Sequence, residues 1–302
     1  MDHSEGGSSY ACDRSWAIDL GVVGLSDIVR FAGAAGDFNP NHHDEAMAQS
    51  AGFHRVFAMG LFTASLSSNL IVEKFQAEDV RSLSCRFIAP VLAGEHLTGT
   101  AKTVREAHLE RVDFDVVNAS GELKLSGQAT VGVRRDDADS GPPHRAAAAG
   151  VRALDQTLKH RIGATLRCFT MPIERGKLLE FGRASRIRKW PRSYSEVLVE
   201  GFPLIPLTFS NVQMIYTEAD PADLLRDLGM NPMRTVHGEH FWRYERPFVE
   251  GEMAFGETRL EDAVIKRGGR GRMRFVTTLT EFRTSAGDLL QSERMVSIEH
   301  LD

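Results

Sequence analysis

Residues 36–45 read GDFNPNHHDE and set a carboxylate, Asp37, and an imidazole, His42, on either side of Asn39-Pro40. Pro40 fixes its own φ and biases Asn39 away from helix, so the pair makes a turn. Such a turn can fold the Asp37 and His42 side chains toward a common point. A carboxylate and an imidazole that share one water form an acid/base couple near neutral pH. One takes a proton from water while the other delivers a proton to a substrate carbon. The same residues have two plainer readings. Asp37 and His42 could cap the turn and the helix after it. Together with His43, Asp44 and Glu45 they could also hold a divalent metal. Neighbours in one loop rarely point at one ion, and no remote third ligand is evident, so no metal is expected. His43, Asp44 and Glu45 read instead as a solvated helix start.

A second chemical element lies eighteen residues after His42, at Gly60. With no Cβ, Gly60 lets a substrate carbonyl approach its amide closely. An amide at a helix N-terminus stabilises a developing oxyanion through its free N–H and the helix dipole. Gly60 also reads as a packing glycine, and the two roles can coexist. A water activator, a proton donor and an enolate stabiliser together suit the addition of water to an α,β-unsaturated thioester, or its removal.

These residues need elements to position them. Residues 26–36 (SDIVRFAGAAG) carry apolar residues at helical spacing, with Ser26 as the expected N-cap. Residues 59–72 (MGLFTASLSSNLIV) are apolar almost all round, which predicts a helix buried on most of its surface. Four strand patterns follow, at 80–88, 96–104, 110–118 and 124–133, with turn signals at 92–95 and 118–121. The order then repeats: helical patterns at 173–185, 209–217 and 221–228, then strand patterns at 239–244, 256–266, 273–282 and 289–298. Pro90 with Gly94-Glu95 matches Pro247 with Gly251-Glu252 in style. Each half therefore reads as one long helix wrapped by an antiparallel sheet, with a smaller helical overhang. A repeat of this size suggests duplication of a domain that once paired with itself.

The chain of 302 residues is about twice the usual domain length, so two domains are expected. Residues 134–150 mix charge, Ser-Gly-Pro-Pro and an alanine run without apolar period, and read as a linker. The expected division is 1–134, a linker over 135–158, and 159–302. Hydrophobic residues at 42% and charged residues at 25% make a globular composition. The net charge of −5 excludes a general nucleic-acid binder, because phosphate neutralisation needs a basic surface. Three cysteines, Cys12, Cys85 and Cys168, have no framework or Cys-x-x-Cys spacing, which fits a reducing cytoplasm. The N-terminus shows no secretory signal, and no apolar run approaches ~20 residues, so neither secretion nor a membrane span is expected. No Gly-x-Gly-x-x-Gly follows a strand, so no nucleotide redox cofactor is expected.

The segment FAGAAGDFNPNHHDEAMAQSAGF followed by FAMGLFTASL resembles the MaoC-like, (R)-specific enoyl-thioester hydratase family. The resemblance covers about residues 22–70 and continues loosely through Arg86-Phe87, Pro90-Val91 and Gly94-Glu95. It implies an α+β chain of two hot-dog domains, each an antiparallel sheet around a central helix, packed as an intrachain pseudo-dimer. It implies Asp37 and His42 as the catalytic dyad, Asn39 and Pro40 as the supporting loop, and Gly60 as the oxyanion donor. The substrate would be a 2-enoyl or 3-hydroxyacyl thioester of coenzyme A or of a carrier protein, with no further cofactor. The family often has His before the helix-start glycine, where this chain has Met59, and an apolar residue where it has Asn41. The second half, through Pro203, Pro206, Thr208-Phe209, residues 235–239 and Tyr244-x-Arg246-Pro247, resembles the partner half of fused double hot-dog dehydratases. It lacks Asp-x-Asn-Pro-x-His, so it reads as a non-catalytic half that widens the acyl pocket.

Other residues keep two readings. Ser68 could line the pocket or allow close sheet packing. Arg186, Arg188 and Lys189 could receive carrier or coenzyme phosphates, or form a solvated basic face. His237 could be a second-site acid, but VHGEHFWRYERP reads more as a turn into a strand. Trp190 and Trp242 read as packing, and Cys85 as a small apolar filler. A thioesterase on the same fold and a non-catalytic acyl-binding subunit are the alternative functions. Two chains could also pair as a homodimer.

Overall fold

The computed structural model describes residues 14–106, 109–132, 152–188, 205–217, 221–268 and 271–301. Eleven strands form one antiparallel sheet: β1 (Ser15–Val22), β2 (Val80–Phe87), β3 (His96–Glu106), β4 (Leu109–Asn118), β5 (Leu123–Gly132), β6 (Arg152–Leu154), β7 (Thr165–Pro172), β8 (Thr235–Tyr244), β9 (Met253–Gly268), β10 (Gly271–Arg283) and β11 (Leu289–His300). Their spatial order is β1-β3-β4-β5-β2-β8-β11-β10-β9-β6, with β7 also on β9. The order is a palindrome about the β2–β8 seam, where Leu83 faces Trp242 and Cys85 faces His240. Five first-half strands and six second-half strands join there, with β7 in the place of β1 and β6 added on β9.

The helices are α1 (Leu25–Ala35), α2 (Glu45–Ser50), α3 (Gly60–Val72), α4 (Arg175–Ala184), α5 (Gln213–Tyr216) and α6 (Pro221–Asp227). In α3 every residue from Leu61 to Ile71 is buried, as expected for a helix without a polar face. Burial of its serines is compatible with stability because each hydroxyl donates back to its own helix: Ser65 to Leu61 O, Ser67 to Ala64 O, Ser68 to Ser65 O. Gly99 on β3 lets Leu70 settle onto the sheet, since a Cβ there would lie 2.8 Å from the leucine. In α1, Ile28, Phe31, Ala32 and Ala35 form the buried face, and Phe31 meets Phe181 of α4 at 5.7 Å.

Several expectations need correction. The N-cap of α1 is Gly24, not Ser26, because the Asp27 carboxylate reaches back to accept Gly24 N–H at 2.9 Å. Strands β1 and β7 were invisible in the pattern, because each is an edge strand with mixed exposure. Residues 209–217 do not form the expected long helix: Phe209–Val212 is a 3-10 turn that runs into the four-residue α5. Thr217 then turns extended, with φ −91° and ψ 131°, which ends the segment. Residues 152–158 are not linker, since β6 pairs with β9 and Asp155 meets Arg274 at 2.7 Å. Residues 135–151 lie outside the described residues.

Candidate active site

The site begins where α1 stops. Gly36 has φ 82° and donates its N–H to Ala32 O at 2.8 Å, the left-handed ending that glycine favours. A Cβ there would lie 2.8 Å from Ile215 Cγ1 and 3.0 Å from Ile215 N, so a second-half element fixes the exit of the loop. Asp37 follows, and its Oδ1 accepts Asn39 N–H at 3.4 Å. The Asn39 side chain in turn accepts Asn41 N–H at 3.1 Å and caps the 3-10 turn Pro40–His42. Asn39 and Pro40 thus shape the loop, and Asp37 and His42 emerge on one side of it.

His42 Nε2 lies 3.9 Å from Asp37 Oδ2, with the two side chains 8% and 18% exposed. That is too far for a direct hydrogen bond. A water bonded to both at ~2.8 Å would subtend an angle of about 90°, which suits a shared solvent atom. The other ring nitrogen, Nδ1, is 2.8 Å from Phe57 O. A carbonyl only accepts, so Nδ1 carries a proton, and in the neutral imidazole Nε2 offers its lone pair on the Asp37 side. The Phe57 ring meets the imidazole edge-on at 5.0 Å. Asn41 is buried beside it, and its Oδ1 has no partner among the described residues.

The Phe57 segment also carries the second element. Phe57 bridges to Leu92, and Ala58 N–H donates to Val91 O at 2.8 Å. Three residues after Phe57, Gly60 opens α3. Its N-cap, Met59, makes no side-chain hydrogen bond to the helix. The first amides of α3 therefore have no side-chain cap. A Cβ on Gly60 would come within 3.2 Å of three atoms of the Phe87 ring. His42 and Gly60 are thus held through one short, clamped segment.

The remaining candidates lie elsewhere. Ser68 is buried inside α3 with its hydroxyl donating to Ser65 O. Arg186 turns onto the first half: Nη1 donates to Val22 O at 3.0 Å, and Nε is 3.7 Å from Asp27 Oδ1. Arg188 donates to Asp19 O from Nη1 and to Asn69 Oδ1 from its main chain. Both arginines clamp the two halves together as placed. Lys189 and Trp190 lie outside the described residues. Asp44 caps α2 through Met47 N–H at 3.1 Å, and Glu45 accepts Val56 N–H at 3.3 Å. Cys85 is buried, and burial pushes its thiol up to about 12, so it stays protonated at neutral pH. His237 sits inside β8 rather than in a turn, and Trp242 is fully buried. Among the described residues no three His, Cys, Asp or Glu side chains gather to hold a metal.

Sequence reasoning missed Phe57 and Phe87. Phe57 acts through a backbone carbonyl, which side-chain type does not reveal. Phe87 acts by shape against Gly60, and only the fold shows that contact. A cavity of about 810 Å³ lies by β7, β9, β10 and Tyr216. One of about 30 Å³ lies by Val80, Leu207, Tyr244 and Gln291. Neither is lined by Asp37, His42 or Gly60.

Comparison with known proteins bears on the family and the fold. The MaoC like domain matches residues 16–122, and the FAS1-like dehydratase domain region matches residues 160–292. The chain is 27% identical over 113 residues to the (R)-specific enoyl-CoA hydratase of Aeromonas caviae, a match spanning 36% of this chain and 84% of that one. It is 25% identical over 109 residues to the mitochondrial 3-hydroxyacyl-[acyl-carrier-protein] dehydratase FERN of Solanum lycopersicum, spanning 34% of this chain and 66% of that one. A conserved Mycobacterium tuberculosis protein described as a double hot-dog fold superposes with a TM-score of 0.62 at 12% identity, covering 95% of this chain and 96% of that one. At that identity the likeness speaks for the fold alone.

Proposed function

Since the chain belongs to the MaoC-like dehydratases in their double hot-dog form, we propose that it adds water across the 2,3-bond of a 2-enoyl thioester or removes it from a 3-hydroxyacyl thioester. Asp37 and His42 grip one water between them. In the hydration direction the water oxygen bonds to C3, one proton passes to the dyad, and the dyad returns a proton to C2. Negative charge gathers on the thioester oxygen meanwhile. The Gly60 N–H and the α3 dipole stabilise it there. The observation that carries this reading is the 3.9 Å gap between His42 Nε2 and Asp37 Oδ2, with Nδ1 already committed to Phe57 O.

The division of labour belongs to the same proposal. The first half, to about residue 134, is catalytic, and the second, from about 152, is not. Arg186, with φ 53°, ends the second half's overhang helix where Gly36 ends the first half's, so Ile187 stands in the place of Asp37. The acyl group arrives on coenzyme A or a carrier protein, and two chains pair as a dimer. The cysteine pattern supports a cytoplasmic setting. The test is hydration of crotonyl-CoA by the wild type and by Asp37→Asn and His42→Ala, with chiral analysis of the product. The expected product is the 3-hydroxyacyl thioester, and each variant should be at least ~10²-fold slower. Near wild-type turnover in both variants, or free thiol as the product, overturns the reading.

A further inference from the structure

Each half places an inward-facing strand next to its helix start, and the registers make the two halves comparable. Phe87 pairs with Leu125 and Cys85 with Gly127 in the first half, as Tyr244 pairs with Gln291 and Trp242 with Glu293 in the second. By that register His240 stands where the first half has Leu83, and His237 where it has Val80. The first half is apolar at these positions: Val80, Leu83 and Leu125 are fully buried. The fold therefore does not require polar groups here.

The second half nevertheless has a hydrogen-bonded polar chain. His237 Nε2 lies 3.2 Å from His240 Nδ1, and His240 Nε2 lies 3.3 Å from Glu293 Oε2. Gln213 and Gln291 donate to the two Glu293 oxygens at 3.0 and 2.8 Å, and Gln291 reaches Ser210 at 2.7 Å. His240 and Glu293 are 4% and 2% exposed. Apolar side chains of similar volume would be no less stable than such a pair, so stability does not explain it. Hydrogen-bonding capacity is also left over. Trp242 stacks on His240 at 4.0 Å, and its Nε1 has no partner among the described residues. Neither amide atom of buried Asn211, next to Ser210, has one either. Unpaired buried groups of this kind are costly unless a ligand or water meets them.

The chain of contacts ends at the candidate site. The His237 ring lies 4.7 Å from the Phe87 ring, which packs on Gly60. His237 is half-buried, and His240 and Glu293 next to it are buried.

On that placement, and resting on the hydro-lyase reading above, we propose that His237, backed by His240 and Glu293, forms a polar subsite for a neutral hydrogen-bonding group, such as a hydroxyl, on the acyl chain. A second carboxylate is disfavoured, because Glu293 already balances whatever charge His240 carries. Burial, and then the neighbouring His240, hold the His237 imidazole well below its ordinary value. It is therefore neutral at pH 7 and does not attract an anion. A site built to hydrogen-bond a hydroxyl discriminates strongly against the analogue that lacks it.

The experiment uses matched pairs of 2-enoyl-CoA substrates of five to eight carbons, with and without a terminal hydroxyl. Their kcat/KM values are measured for the wild type, for His237→Val, and for the double variant His240→Leu/Glu293→Gln, which leaves no buried charge unpaired. At one or more lengths the wild type should prefer the hydroxylated member by ~10-fold or more. Both variants should lower that preference below ~3-fold. No preference in the wild type at any length, or an unchanged preference in His237→Val, overturns the proposal. Calorimetric binding of the saturated pairs separates this inference from the reading it rests on. A hydroxyl preference in binding without any turnover upholds the subsite and removes the hydro-lyase assignment. Turnover without a hydroxyl preference does the reverse.

Discussion

The two halves differ at matched positions, the start of α3 in the first and the 3-10 turn Phe209–Val212 in the second. In the first half Phe87 lies flat against Gly60, and the helix start carries no side-chain cap. In the second half Tyr244 takes the place of Phe87, and its hydroxyl donates to Leu207 O at 2.8 Å. Burial pushes that hydroxyl well above its ordinary value, with the nearby Glu293 charge adding to it, so it remains a donor at any physiological pH. Neither helix start has a side-chain cap, and the difference lies in the packed ring, an apolar Phe87 in one half and a hydrogen-bonded Tyr244 in the other. One half has Asp37 after its left-handed helix end, and the other has Ile187. Duplication kept the frame, and only one copy kept an acid/base loop.

Exchanging matched residues sharpens that comparison. The largest effect is expected at the dyad, where Asp37→Asn should lower kcat by ~10²–10⁴ while Tyr244→Phe stays within ~3-fold, both read by steady-state hydration. Gly60→Ala comes next. Its Cβ meets the Phe87 ring at 3.2 Å, and displacement of the amide should lower kcat by about 10²-fold.

A third exchange concerns the turns before β3 and β9. Glu95 and Glu252 occupy matched positions, and each takes its cation from a different place. Lys124, 2% exposed, lies 2.9 Å from Glu95, whereas Arg246, 39% exposed, lies 2.8 Å from Glu252. Lys124→Met should cost about 2–4 kcal/mol in chemical denaturation, and Arg246→Met under ~1 kcal/mol. Burial alone would raise the Glu95 carboxyl, but hydrogen bonds from Asn118, Lys124 and Leu92 N–H outweigh it and hold it below 4.5. A depressed carboxyl stabilises the fold above its unfolded value, and that stability is lost as pH falls through the lower folded value. The acid limb of a stability–pH curve below about pH 4.5 should therefore be shallower in Lys124→Met than in the wild type. An identical limb would remove Lys124 from this account.

Much of this was legible in the residues. Asp37, Asn39, Pro40 and His42 sit in a local turn, and α3 announces itself by apolar residues on every side. Both depend on contacts a few positions apart, which sequence spacing records. The parts that stayed hidden depend on partners far along the chain. Ile215 closing on Gly36, Phe87 against Gly60 and the His237–His240–Glu293 chain each join segments from different halves or elements. The short second-half helix was hidden for another reason. Residues 209–217 carry an apolar helical pattern, yet only Gln213–Tyr216 is α-helical and Thr217 is extended, a choice that spacing does not record.

The central claim is that Asp37 and His42 hold the same water, and a double-variant cycle measures it most directly. Crotonyl-CoA hydration is compared in Asp37→Asn, His42→Ala and the combination. Groups that act as one unit lose nearly everything at the first substitution. The double variant should be no more than ~10-fold slower than the slower single variant. Losses that multiply in full would mean two independent roles and contradict the shared water.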